Sequence, residues 1–138
     1  MDIKPLPPAA VNAIDQVAAW VRSPAAQFEA VNDVIKVCKN INGLVEVCQV
    51  LLKQFSVEVT SVPIENRVSA IQFHDPATVP VDKDWVVDLI PVHIDTAAEG
   101  TVTVSSQPLR IGEYAHLKEE APVTGDFFAV LLLSKFDT

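Results

Sequence analysis

The three histidines are the residues best suited to chemistry: His74 beside Asp75, His93 two residues before Asp95, and His116. Imidazole and carboxylate together suit zinc or non-haem iron. The His93-x-Asp95 spacing puts both side chains on one face of a strand. A metal site also needs a third ligand at fixed spacing, and none follows. These histidines are therefore expected as solvated residues at strand ends. Asp82, Asp84 and Asp88 form an acidic cluster but lack the Asp-x-Asp-x-Asp-Gly frame of a calcium loop. That cluster reads as a solvated loop and strand edge, where charge discourages edge-to-edge pairing. Nucleophilic catalysis has no frame either. There is no Gly-x-Ser-x-Gly elbow, Ser105-Ser106 reads as a strand end and turn, and Trp20, Trp85 and Tyr114 read as core. Cys38 and Cys48 have neither zinc-site spacing nor a CxxC arrangement, so both are expected as buried thiols. The reading is non-enzymatic, with no catalytic residue, no cofactor and no metal.

Composition narrows the partners. The chain has 138 residues, 49% of them hydrophobic and 20% charged, with a net charge of −8. A disordered chain would be poorer in apolar residues, and an acidic surface repels nucleic-acid phosphates. With 4 Gly against 10 Pro, a glycine-rich phosphate cradle is not expected. The longest apolar run, Phe127–Leu133, is seven residues, and a membrane-spanning helix needs about 20. The start, MDIKPLPPAA, has no apolar signal-peptide core. The expectation is cytoplasmic synthesis without a signal peptide, with a virion as one destination.

The charge is not spread evenly. Residues 1–55 hold five acids and five bases, so the other 13 of 18 acids and 5 of 10 bases, and all of the net −8, lie in residues 56–138. Hydrophobic periodicity changes at the same place. Residues 9–22 are Ala-rich with Ile14, Val17 and Val21 at helical spacing. Ser23-Pro24 then reads as the N-cap of a second helix with proline at its first position. Val31, Val34, Cys38, Ile41, Val45, Cys48, Leu52 and Phe55 follow at spacings alternating between three and four, an unbroken heptad seam. Asn42-Gly43 sits inside it without resetting the phase. The seam therefore predicts one continuous helix over 24–55, about 48 Å long at about 1.5 Å per residue, rather than a hairpin broken at Gly43. Its polar stripe is Lys39, Asn42, Glu46, Gln49 and Lys53.

After Phe55 the pattern alternates and becomes β-branched, with strands expected at 56–62, 67–74, 84–94, 100–106, 109–117 and 126–136. Pro91 marks an edge or a bulge within 84–94. Residues 122–125 read as the turn into the last strand. That strand, apolar on both faces, is expected at the centre of its sheet. The fold class is α+β: N-terminal helices, one long and heptad-patterned, followed by an antiparallel β sandwich or jelly-roll-like domain. In domain terms, residues 1–55 form a helical arm for oligomerisation or anchoring, and residues 56–138 form an antiparallel β domain.

A neutral apolar arm joined to an acidic head suits a non-enzymatic structural or assembly protein, such as a decoration, fibre or spike component of a phage virion. It would self-associate through the eight seam residues. β-branched residues at both seam positions lean toward a trimer, and a further structural protein is the second expected partner. Two other readings remain open. One is a small acidic immunity or inhibitor protein steered onto a basic partner; the other is a small-ligand-binding protein with an apolar cavity between its sheets.

Overall fold

The computed structural model describes residues 2–57, 65–74, 76–94 and 102–135, with the backbone alone for 54–57. The chain opens with a short strand, β1 (Asp2–Pro5), and a helix, α1 (Pro8–Val21). Pro8 stands at the start of α1, where a missing N–H costs nothing. Ala10, Ala13, Ile14, Val17 and Val21 form its buried face. The expected helix over 9–22 is thus present, one residue out of register. Its end differs from expectation. The Ser23 hydroxyl donates to the Trp20 carbonyl at 2.7 Å, and the Ser23 N–H donates to the same oxygen. Ser23 therefore closes α1 rather than capping a new helix.

The single helix expected over 24–55 is not formed. In its place are a two-stranded hairpin, β2 (Phe28–Ala30) and β3 (Ile35–Cys38), and a helix, α2 (Ile41–Val57). Two asparagines account for this. The Asn32 side-chain Oδ1 accepts the backbone N–H groups of Val34 (2.8 Å) and Ile35 (2.9 Å), a side-chain turn that competes with helix. Asn40 bonds back across the hairpin base. Its Oδ1 accepts the Gln27 N–H at 2.9 Å and its Nδ2 donates to the Ala25 carbonyl at 2.6 Å. Within α2 the amphipathic phase holds. Leu44, Cys48 and Leu51 are buried, whereas Asn42, Glu46, Gln49 and Lys53 are exposed.

Gly43 lies within α2 because α1 crosses there. A Cβ on Gly43 would stand 2.9 Å from a ring carbon of Trp20. In an open helix, alanine for glycine gains about 1 kcal/mol. Here Gly43→Ala should forfeit that gain and lower the melting temperature, because a rigid indole cannot yield as a flexible chain would. Paired melts of Gly43→Ala with and without Trp20→Leu check this; alanine should become favourable only in the second background.

The rest of the chain is β4 (Glu65–Phe73), β5 (Ala77–Val79), β6 (Trp85–Ile94), β7 (Thr103–Val104), β8 (Gln107–Pro108), β9 (Glu113–Leu117), β10 (Ala121–Thr124) and β11 (Phe127–Lys135). Among the described residues these make an α+β fold with two helices and two antiparallel sheets. The larger has seven strands in the order β1-β9-β6-β11-β4-β3-β2, and the smaller has four in the order β5-β10-β7-β8. From β4 onward the chain changes sheet at each connection except the β7–β8 hairpin. That hairpin turns on Ser105 and Ser106, both at positive φ (49° and 69°). The seven-stranded sheet takes strands from both sides of residue 55.

Two apolar layers flank this sheet. One is shared with the four-stranded sheet and includes Phe73, Val79, Leu89, Val104, Leu117, Val123 and Phe127. The other lies under the helices and joins Ile14, Val17, Leu44, Cys48 and Leu51 to Ala70, Ile90 and Val130. β11 is the middle strand, as its two apolar faces led us to expect. Phe127, Ala129 and Leu131 enter the first layer, and Val130 enters the second.

The strands expected at 67–74, 84–94 and 126–136 correspond to β4, β6 and β11. Of the strand expected over 56–62, residues 56–57 end α2 and 58–62 lie outside the described residues. Pro91 sits at a bulge on an internal strand: Phe128 faces His93 and Ala129 faces Pro91, leaving Val92 as the extra residue. Residues 122–124 belong to β10. The turn into β11 falls at Gly125, at φ +94°, where a Cβ would meet Val102 at 3.0 Å.

Candidate functional site

The structure distributes the seam residues over three settings. Val31 is 65% exposed on the β2–β3 turn. Val34 packs against the layer between the sheets. Cys38 and Cys48 are buried in the helix-side layer, with Leu52 packed against it. Ile41 and Val45, one turn apart on α2, are each 38% exposed. Phe55 lies in α2, and its side chain falls outside the described residues. The eight therefore form no continuous stripe, and the preference for a trimer loses its basis along with the long heptad helix.

The two cysteines are free thiols. Cys38 Sγ donates to Asn40 Oδ1 at 3.3 Å; burial pushes its pKa up, and a backbone hydrogen bond from Asn40 pulls the other way without cancelling the rise. Burial raises Cys48 further, to about 12, with Cys38 adding to the rise. Both are protonated at neutral pH, as inert packed thiols are.

The histidines go to two places. His74 and His93 line a shallow cleft of about 250 Å³ at one end of the helix-side face, together with Arg22, Gln72, Asp126 and Phe128. Strand register builds its floor. His93 of β6, Phe128 of β11 and Gln72 of β4 are direct cross-strand neighbours, so they share one face. α1 ends at Val21, which leaves Arg22 at the cleft margin. Asp126 and His74, just beyond β11 and β4, form the outer rim, with His74 Nδ1 4.0 Å from Asp126 Oδ1. Phe128 is braced edge-on by Phe28 at 5.5 Å between ring centroids. His93 lies tilted beside it at 6.2 Å. The arrangement offers a fixed cation, a carboxylate, an amide and two imidazoles around one aromatic ring.

The third histidine forms a separate pair. His116 Nδ1 and Asp88 Oδ1 are 2.7 Å apart on cross-strand neighbours of β9 and β6. Asp88 is only 9% exposed, which overturns its expected place in a solvated acidic edge. Asp82 and Asp84 are exposed, as expected of that cluster. The signal in the sequence was the setting of Asp88, a carboxylate between Val87 and Leu89 in an apolar strand. Among the described residues no group of three or more His, Cys, Asp or Glu is placed to hold a metal ion. Asp75 and Asp95, the carboxylates of the two sequence pairs, lie outside them. The three large aromatics have distinct settings: Trp20 against Gly43, Trp85 under the Arg67 guanidinium at 5.2 Å, and Tyr114 against the helix-side core.

Sequence reasoning missed the cleft because its members come from four elements spread over about a hundred residues. Gln72 and His93 did carry a faint signal, each a polar residue with apolar neighbours on both sides, Ile71 and Phe73 for the first and Val92 and Ile94 for the second. No protein-family model matches the chain, and no curated protein matches it in sequence.

Proposed function

We propose that the protein is a non-enzymatic structural or assembly component, of the decoration, fibre or spike type found in virions, that works as a homo-oligomer. The reading is carried by Ile41 and Val45. They are neighbours at i and i+4 on α2, and both stay 38% exposed while the apolar residues of the next face, Leu44, Cys48 and Leu51, are buried in the protomer's own core. Single exposed aliphatic residues are ordinary. A paired set on one flank of a helix is a small patch that a second copy would cover. The charge distribution supports the same reading: all of the net −8 lies beyond residue 55, while α2 up to Lys53 carries one acid, Glu46, and one base, Lys53, so like charge disfavours contact least on the helical side.

Ile41→Asp tests this without breaking the fold, because the side chain already reaches solvent. Light scattering and sedimentation at micromolar concentration should show the wild type as an oligomer and Ile41→Asp as a monomer with unchanged circular dichroism. A wild-type monomer, or a variant that keeps the wild-type mass, would sink the proposal.

A further inference from the structure

We infer that the cleft at the end of α1 binds a small zwitterion, of the class of a free α-amino acid. Three features of the cleft argue for that class over a simple anion or cation. First, its fixed charges are one of each sign, Arg22 and Asp126, and they line the same volume of about 250 Å³. Drug-sized ligands occupy pockets of about 300–1,000 Å³, so the space suits a metabolite smaller than those. Second, the Phe128 ring lines the same cleft as the two charged groups and is held edge-on by Phe28, which makes it a platform for an apolar side chain. Third, Gln72 stands beside Phe128 in register, and its amide can both donate and accept.

The chemistry of each group fits a pole of such a ligand. A guanidinium presents parallel N–H donors that match the two oxygens of a carboxylate. The Asp126 carboxylate lies 4.0 Å from His74 Nδ1 and has about four lone-pair positions, so it accepts an ammonium beside the imidazole. The protein's overall charge favours the same class. A chain of net −8 repels a simple anion over long range. A simple cation would find carboxylates over much of the surface. A zwitterion carries no net charge for that field to repel, and it uses both poles of the cleft. The inference does not depend on self-association.

The test is a titration of the full chain with three probes that share one ring: L-phenylalanine, 3-phenylpropionate (carboxylate only) and 2-phenylethylamine (ammonium only). Calorimetry gives the affinities, and proton NMR follows the ring signals of Phe128 and His93. L-phenylalanine should bind about tenfold or more tightly than either one-pole probe and shift both rings. Arg22→Gln, a change at an exposed residue, should weaken it by about tenfold or more. The inference is overturned if L-phenylalanine leaves the Phe128 and His93 signals unmoved, if 3-phenylpropionate or 2-phenylethylamine matches its affinity, or if Arg22→Gln binds as well as the wild type.

Discussion

Replacing Phe127 by alanine should lower the free energy of unfolding by about 3–5 kcal/mol, the usual cost of removing a fully buried aromatic ring. Phe127 starts β11 and is 2% exposed. Its ring stacks on that of Phe73, with centroids 4.9 Å apart and planes 24° from parallel. The two residues are cross-strand partners on β11 and β4. Their pairing adds to burial, since aromatic pairs contribute about 0.5–1.5 kcal/mol beyond area. The position also matters for the architecture. Phe127 faces the layer shared by both sheets, and it follows Gly125, whose positive φ turns the chain between them. A cavity here therefore weakens the joint between the two sheets. The next residue provides the control. Phe128 points to the other face and is only partly buried, so Phe128→Ala should cost clearly less. Urea denaturation separates the two: the Phe127→Ala midpoint should fall well below that of Phe128→Ala, with the slope unchanged. Equal midpoints would mean that the Phe73–Phe127 stack does not anchor the sheets.

How far the sequence could be read depended on whether local pattern or distant pairing decided each element. α1 was legible because its apolar residues repeat at helical spacing beside a proline suited to a first turn. β11 was legible because a seven-residue apolar run flanked by turn residues has to be covered on both faces. The helix over 24–55 was misread because the three-four spacing arose by chance. Val31 belongs to a turn and Cys38 to a strand, and they were joined to Ile41, Val45, Cys48 and Leu52 of a real helix. The contrary signals were Asn32 and Asn40, whose side chains take over backbone hydrogen bonds. Gly43 does not break its helix, as the unreset phase implied; it marks the close approach of Trp20 to α2. β1 had no legible signature. Four residues between prolines and charges become a strand only because β9, more than a hundred residues later, offers them an edge. The cleft was hidden for the same reason. Arg22, Gln72, His93 and Asp126 meet only once β4, β6 and β11 are in register and α1 ends above them. Asp88 was visible as an anomaly, but its partner was not.

That partner sets the second large effect. Removing the His116 imidazole should cost about 2 kcal/mol at neutral pH, whereas removing the Asp88 charge should cost nothing. An ionised carboxylate can only accept, so His116 Nδ1 carries the proton and donates across 2.7 Å. The Asp88 side chain is 12% exposed and that of His116 28%. Burial is the largest influence on Asp88 and raises its pKa. The hydrogen bond and charge of His116, and the charge of Lys4, pull the other way without cancelling it. A carboxyl raised in the folded state favours folding while it is protonated. That contribution is complete below the ordinary carboxylate value of about 3.9 and is lost as pH rises through the raised folded value. At neutral pH the ionised Asp88 is therefore a net burden on the fold, tolerated because His116 is there. Asp88→Asn keeps the shape and an acceptor for the imidazole and should unfold no more easily than the wild type. His116→Ala instead strands a buried carboxylate, and its loss should shrink in acid as Asp88 takes up a proton. The double variant should lose less relative to Asp88→Asn than His116→Ala loses relative to the wild type, because it strands a neutral amide rather than a charge. Urea melts of the four proteins at neutral pH and near pH 3 decide it. If both single variants lose equal stability at neutral pH, the pair is a net source of stability and burial does not dominate Asp88.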